Sequence, residues 1–495
     1  MYSAGTMSFR SIRSRRVCFA VSLVAAVTAF ASGSKDAQAS GYLAARFGSD
    51  HGTPAMGNAY AIYFNPAAMG GTKGTSITGD LAVLYRSASY TRTADALSLT
   101  PADGNYSDSY AQANTGKGKI SNILALPFLG VTSDLGTRDF RLGYAAYLPF
   151  GGLANWTRQD QVAGAPGSED GPQRWHNISG EILAIYNTLA LSYTIDPLDL
   201  TVGASGSVVI HRVKTVRARN ADGTDTTVAA GTQVEGRSYL EASGMNAAAS
   251  FGLYWAPKHL AGYTMKKRFR LGLSYISQPG FGATRMKGEL EQALATSKPD
   301  KQPIEFLQTY PDVVRLGFAH RFPSDKLELR GDLEYVRWSV FKNQCVIKAD
   351  TPTRVNGNCD VDGDGSNVIK GNQDIILNLK RDWKDAYGAR FGVAYWPKEE
   401  LEVFGSFGVT TPAVPTKSID AGTIDTVRLY PTIGARYEFS EHFALGGSYN
   451  HIIFLPVTAS DSHYNKLGPD SVSPSANGKY SATIGFVNVN ATYTF

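Results

Sequence analysis

The chain has 495 residues, a formal charge of +5 and only 18% charged residues, together with 51 glycines, 26 tyrosines and 23 phenylalanines. That mixture, even along the chain, suits many strands with aromatic ends rather than helices, and one large unit rather than a string of ordinary domains. Removal of an N-terminal export segment would lower the charge to about +1, which excludes a basic footprint for nucleic acid.

That export segment is residues 1–39. Arg10, Arg13, Arg15 and Arg16 form a basic start, residues 17–31 a short apolar run, and Ala37-Gln38-Ala39 a small-residue cleavage site. Cys18 would leave with it, so Cys345 and Cys359 remain as a pair in an oxidising compartment. Residues 40–75 are rich in Gly and Ala and show no steady alternation, so they are read as filling a lumen rather than forming a strand.

From residue 76 to 495 the dominant signal is period-two alternation. At the C-terminus Val487, Val489, Ala491, Tyr493 and Phe495 share one face, with Asn488, Asn490, Thr492 and Thr494 opposite. The same pattern predicts fourteen strands, roughly 76–90, 119–133, 138–149, 181–196, 198–217, 241–256, 267–280, 310–323, 325–340, 383–396, 400–411, 427–439, 441–455 and 479–495. Alternation alone also fits a soluble sandwich with its apolar face inward. Short turns such as Gly136-Thr137-Arg138-Asp139 and Asp196-Pro197-Leu198-Asp199 alternate strictly with long polar connections, however. That asymmetry predicts an all-β fold, a transmembrane antiparallel β-barrel with a lumen plug, multi-pass in the outer membrane of a Gram-negative bacterium and in contact with its lipid.

Five local features bear on function. Pro149-Phe150-Gly151-Gly152 would end the third strand and break its pairing, since Pro cannot donate to a ladder. Lumen-facing charges (Arg270, Arg315, Arg330, Asp332, Glu334, Arg390, Arg436 and Glu438) would form a paired interior network, with Arg270, Arg315 and Arg330 as candidates to hold a ligand carboxylate. Residues 286–295 have helix-forming composition, with Met286, Leu290 and Leu294 on one helical face. In the loop after the ninth strand a Cys345–Cys359 disulfide would close a small loop. Beyond it Asp360, Asp362 and Asp364 begin like a calcium site, although Gly371 stands where a bidentate Glu belongs. Apart from that structural calcium no cofactor is expected. Nor is an enzyme, since no nucleophile elbow, His-Glu-x-x-His pair or phosphate-cradling loop is present.

Met56-Gly57-Asn58-Ala59-Tyr60, followed by Tyr63-Phe64-Asn65-Pro66-Ala67, resembles the N-terminal hatch of the FadL/TodX-type outer-membrane transporters of fatty acids and aromatic hydrocarbons. Further similar stretches are Tyr147-Leu148-Pro149-Phe150-Gly151, Tyr310 to Gly317, Glu334 to Ser339, Asp382-Trp383-Lys384-Asp385 and Tyr449-Asn450-His451, in the family's order over nearly the whole mature chain. The resemblance implies passive, hatch-gated passage of a hydrophobic small molecule, with Asn65, Pro66 and Ala67 in the hatch and sideways release at the third-strand break. Asn-Pro taken alone is also an ordinary turn starter. A barrel with its own path needs no second subunit, so a monomer is expected. The reading set against transport is a structural or adhesion barrel that binds partners through its long external loops.

Overall fold

The computed structural model describes residues 43–44, 47–99, 107–265, 268–294, 298–349, 375–464 and 473–495; the export segment, Cys359 and Asp360, Asp362 and Asp364 lie outside these. Fourteen strands form the wall: β1 (Thr75–Arg92), β2 (Gly116–Ser133), β3 (Phe140–Asn155), β4 (Ser179–Ile195), β5 (Leu200–Arg219), β6 (Gly236–Trp255), β7 (Phe269–Ile276), β8 (Val313–Arg321), β9 (Leu327–Val336), β10 (Ala386–Lys398), β11 (Leu401–Thr410), β12 (Arg428–Glu438), β13 (Phe443–Ala459) and β14 (Gly478–Thr494). Each pairs antiparallel with its neighbour in sequence. β1 closes the ring on β14, from Ser76↔Thr494 to Arg92↔Gly478. Closure removes the free edges that hydrocarbon would leave unsatisfied. Among the described residues no helix is long and apolar enough to cross a membrane.

Burial decides between barrel and sandwich. The apolar set of the alternation points outward: Leu81, Val83 and Tyr85 on β1, Leu316 on β8, Leu333 on β9, Phe407 on β11, and Val487 and Val489 on β14 are all exposed. The charged set points inward, and Arg315, Glu328, Arg330, Arg390 and Glu402 are buried. A protein that shields its charges and displays its leucines has lipid, not water, as its lateral solvent. Aromatic contacts collect where strands meet the short turns, as in Tyr437–Phe439 (4.8 Å) and Tyr493–Phe495 (4.9 Å), which is where an interfacial girdle belongs. The turns are tight. Between β2 and β3, Leu135 (φ 52°) and Gly136 (φ 69°) are both left-handed, the conformation that reverses a twisted hairpin without splaying it.

The external side is more ordered than its polar composition suggests. A hairpin of Ala283–Ala293 and Asp300–Thr309 continues the sheet beyond the membrane, pairing with β6 from Lys287↔Ser243 to Ala293↔Arg237. Asn343–Lys348 and Ile375–Lys380 add two further strands. Where a helix is expected from residue 286, the chain is a strand as far as Ala293. Met286 and Leu290 stand four apart, a spacing that puts them on one face of a helix and equally on one face of a strand, and cross-strand partners settle the choice. Their side chains are buried against Val213, Leu240 and Phe306. Buried ion pairs tie the outer loops together, among them Arg92–Asp225 (2.7 Å) and Arg174–Glu235 (2.9 Å). Near Tyr464, Asp420 resists the upward push of burial: Arg381, 2.8 Å away, holds its carboxyl below the usual range.

Leu333 is exposed on the lipid face, one lipid-facing position in from the Tyr335–Tyr387 pair. Leu333→Arg is expected to lower the stability of the barrel by about 1–3 kcal/mol in equilibrium urea titrations with lipid vesicles, the cost of a cation between the interface and the bilayer midplane.

Candidate functional site

Ahead of β1, residues 47–72 fold into short turns and helical pieces: Ser49–His51, Ala61–Phe64 and Pro66–Gly71. Small residues and prolines allow this compaction, and nearly all of the segment is buried within the ring of strands. Asn65 is its pivot. Its backbone is extended, its Oδ1 accepts from Ala67 N at 3.1 Å as an N-cap, and Pro66 occupies the first helical position, where no N–H is needed. Its Nδ2 donates to Pro54 O and to Leu253 O of β6, both at 2.9 Å, so one side chain folds the segment and fastens it to the wall.

The wall is recessed to receive it. A Cβ on Gly252 would strike Asn65 Oδ1, one on Gly272 Pro54 O, and one on Gly203 Ala67 N. Gly203 and Gly252 are cross-strand partners, and Gly272 lies on the next strand. Glycine within a strand marks such close approach. Polar contacts surround this seat. Ser274 Oγ donates to Phe64 O (2.6 Å), Arg390 donates to Ser49 O and Gly52 O (3.1 and 3.0 Å), and Asp80 accepts from Gly48 N and Tyr60 OH (2.8 and 2.7 Å).

The arginines singled out in the sequence are all committed. Arg270 contacts Glu328 (2.5 Å), Arg330 bridges Glu328 (2.7 Å) and Glu402 (2.6 Å), and Glu402 meets His51 of the segment at 3.0 Å. Arg315 pairs with Glu334 (2.6 Å), donates to Tyr63 OH (2.9 Å) and lies over the Tyr63 ring. Arg390 pairs with Asp332 at 2.8 Å. Arg436 approaches Glu438 only to 3.7 Å and borders a cavity of about 310 Å³ beneath the segment, also lined by Asn58, Lys73, Thr78 and Asn490.

Above the segment the lumen is aromatic. Ring contacts run from Phe47 to Tyr147 (5.7 Å) and on to Tyr186 (5.6 Å). Phe150 links Tyr310 (5.7 Å) with Trp338 (6.3 Å), and Trp338 reaches Trp383 at 4.8 Å. These residues form part of one continuous buried apolar cluster.

Phe150 also marks a discontinuity in the wall. β2 and β3 pair from Ser133↔Leu142 only as far as Phe128↔Tyr147. β3 does not end at Pro149-Phe150-Gly151-Gly152, as the sequence suggests, but runs on to Asn155, held by β4 across a register shift between Tyr147 and Phe150. Its other edge is left without β2. Leu43–Ala44 pair there with Gly151 and Phe150; Arg86 Nη1 and Asn122 Nδ2 donate to Leu153 O at 3.3 and 3.5 Å; and an Ile120↔Trp156 bridge rejoins the strands. Sequence reasoning missed this patching, because its parts come from β1, from β2 side chains out of register with β3, and from ahead of the barrel. Cys345 is disulfide-bonded, and among the described residues no group of His, Cys, Asp or Glu side chains is placed to hold a metal ion.

A family model described as outer membrane protein transport protein (OMPP1/FadL/TodX) matches residues 22–495. Among solved structures, a Pseudomonas aeruginosa FadL homologue superposes with a TM-score of 0.69 at 14% identity, covering 93% of this chain and 100% of that one. The toluene transporters TodX of P. putida and TbuX of Ralstonia pickettii give TM-scores of 0.58 and 0.56, each at 14% identity and covering 88% of this chain and 94% of theirs. No curated protein matches the sequence. At this identity the structural likeness concerns the fold alone.

Asn65→Ala removes a cap and two buried hydrogen bonds. At about 1 kcal/mol each this loosens the segment by about 2–3 kcal/mol. Hydrogen exchange is expected to quicken across residues 47–72 and not in the wall strands; unchanged protection there would contradict the anchoring role.

Proposed function

The chain belongs to the outer-membrane transport protein family OMPP1/FadL/TodX, and from that premise we propose that it is a passive, monomeric carrier of long-chain fatty acids or aromatic hydrocarbons, gated by residues 47–72 and releasing its ligand sideways between β2 and β3. As a member of that family it is an outer-membrane transporter of hydrophobic compounds and not an enzyme. Two similarly folded proteins are toluene transporters, which suits an aromatic cargo.

The observation that carries the finer reading is the coincidence of two features at Phe150. The aromatic column reaches the wall at the level where β2 and β3 part, and Leu43–Ala44 fill part of that parting. An apolar molecule descending the column gains about 0.8 kcal/mol for each methylene it keeps out of water. Straight below, it would meet the polar floor of Asn58, Lys73 and Arg436; sideways, it meets lipid. Residues 43–44 lead into the segment pinned by Asn65, so movement of that segment would withdraw the patch.

Cells lacking endogenous uptake and expressing the chain are expected to accumulate labelled oleate, toluene or both. Replacing Asn65 and Pro66 together with Ala should change the initial rate several-fold while the barrel still inserts. Absence of uptake of either compound by a correctly inserted barrel would overturn the transport reading in favour of a structural or adhesion role.

A further inference from the structure

Arg86 is one of the lumen arginines that the ion-pair network leaves out, and the one that stands at the wall discontinuity, where it donates to Leu153 O. It lies on the inward face of β1 and is 3% exposed. Its cross-strand partners are Asn122 and Ile484, and the lumen row around it holds Leu84, Ala88 and Leu124. Among the described residues no carboxylate lies within ion-pair distance of it, whereas Arg270, Arg315, Arg330 and Arg390 each hold one. Its one protein hydrogen bond is the 3.3 Å contact to Leu153 O at the wall discontinuity. Arg141 is also buried without a carboxylate, but it spends its donors on four backbone carbonyls, those of Thr72, Thr137, Arg138 and Phe140.

A guanidinium withdrawn from water without a counter-charge costs several kcal/mol, and a carbonyl at 3.3 Å offsets little of it. An arriving carboxylate would offset far more. It matches the planar donor fork of arginine, and in apolar surroundings the attraction is weakly screened. Taking the transport reading above as given, we propose that Arg86 receives the headgroup of a monoanionic amphiphile, a carboxylate whose tail lies along the aromatic column beside Phe150. Binding exchanges the Leu153 carbonyl for the ligand as Arg86's acceptor and so loosens one of the substitutes that close β2 to β3. The site therefore favours hydrophobic carboxylates over neutral hydrocarbons of equal length.

The test is calorimetric titration of the protein in amphipol at pH 8 with dodecanoate and, separately, with dodecanol. The wild type is expected to bind dodecanoate at least about tenfold more tightly. Arg86→Met should bring the two affinities to within about twofold of each other, with Arg86→Lys retaining part of the preference. Asn122→Asp keeps Arg86 in place and supplies a fixed carboxylate next to it, so it should lower dodecanoate affinity in a barrel whose fold gains an ion pair. Heat-modifiable migration on gels checks folding of each variant. Equal affinities in the wild type, or a preference that survives both Arg86→Met and Asn122→Asp, would overturn the headgroup assignment while leaving hydrophobic transport intact. Failure of the wild type to bind either ligand would overturn the transport reading and the headgroup site with it.

Discussion

In hydrocarbon an unpaired peptide group costs several kcal/mol, and water is not there to relieve it. Every large feature of this chain answers that constraint. The sheet closes β1 on β14, and the external strands extend pairing beyond the bilayer. Where β2 and β3 part, the vacated edge of β3 receives a two-residue strand, two side-chain donors and a single bridge. The parting differs in kind from the rest of the wall. Elsewhere closure rests on ladders of adjacent strands, whereas here it rests on groups that can leave without unfolding anything.

The same constraint turns the protein inside out. With lipid outside, charges have only the lumen to occupy, and there they must be compensated. The chain Arg270–Glu328–Arg330–Glu402–His51 shows how this couples the wall to the segment inside it, since the last link belongs to the segment and the others to the wall. Backbone carbonyls of Ser49 and Gly52 serve Arg390 in the same way. The lumen contents are thus part of the charge balance of the barrel.

Much of this was legible in the sequence, because period-two alternation and the contrast of short and long connections are local signals. All fourteen wall strands lie within a few residues of their expected places, apart from the upper part of β3. Its extension past Pro149 depends on β4 and on Leu43–Ala44, partners that local composition does not name. The strand at Ala283–Ala293 was hidden by a spacing common to helix and strand. The seat of Asn65 was partly legible. Gly203, Gly252 and Gly272 interrupt otherwise regular strands, but their coincidence on adjacent strands appears only once the register is known. Arg86 could be placed on the lumen face from its neighbours Tyr85 and Ser87. That it lacks a carboxylate could not, because compensation is decided by residues hundreds of positions away.

The lumen segment has a consequence for the order of assembly. Residues 47–72 leave the inner compartment ahead of every strand and find their first partners early, in Asp80 on β1 and Tyr147 on β3, but others come late: Leu253 on β6, Ser274 on β7, Arg315 on β8, Arg390 on β10 and Glu402 on β11. The first part of the chain to arrive is therefore among the last to complete its contacts. β1 meanwhile must wait for β14 before the ring can shut. A sheet curling toward closure has to keep this Gly- and Ala-rich segment on its concave side, so the insertion machinery handles a half-satisfied apolar segment while the later strands are added.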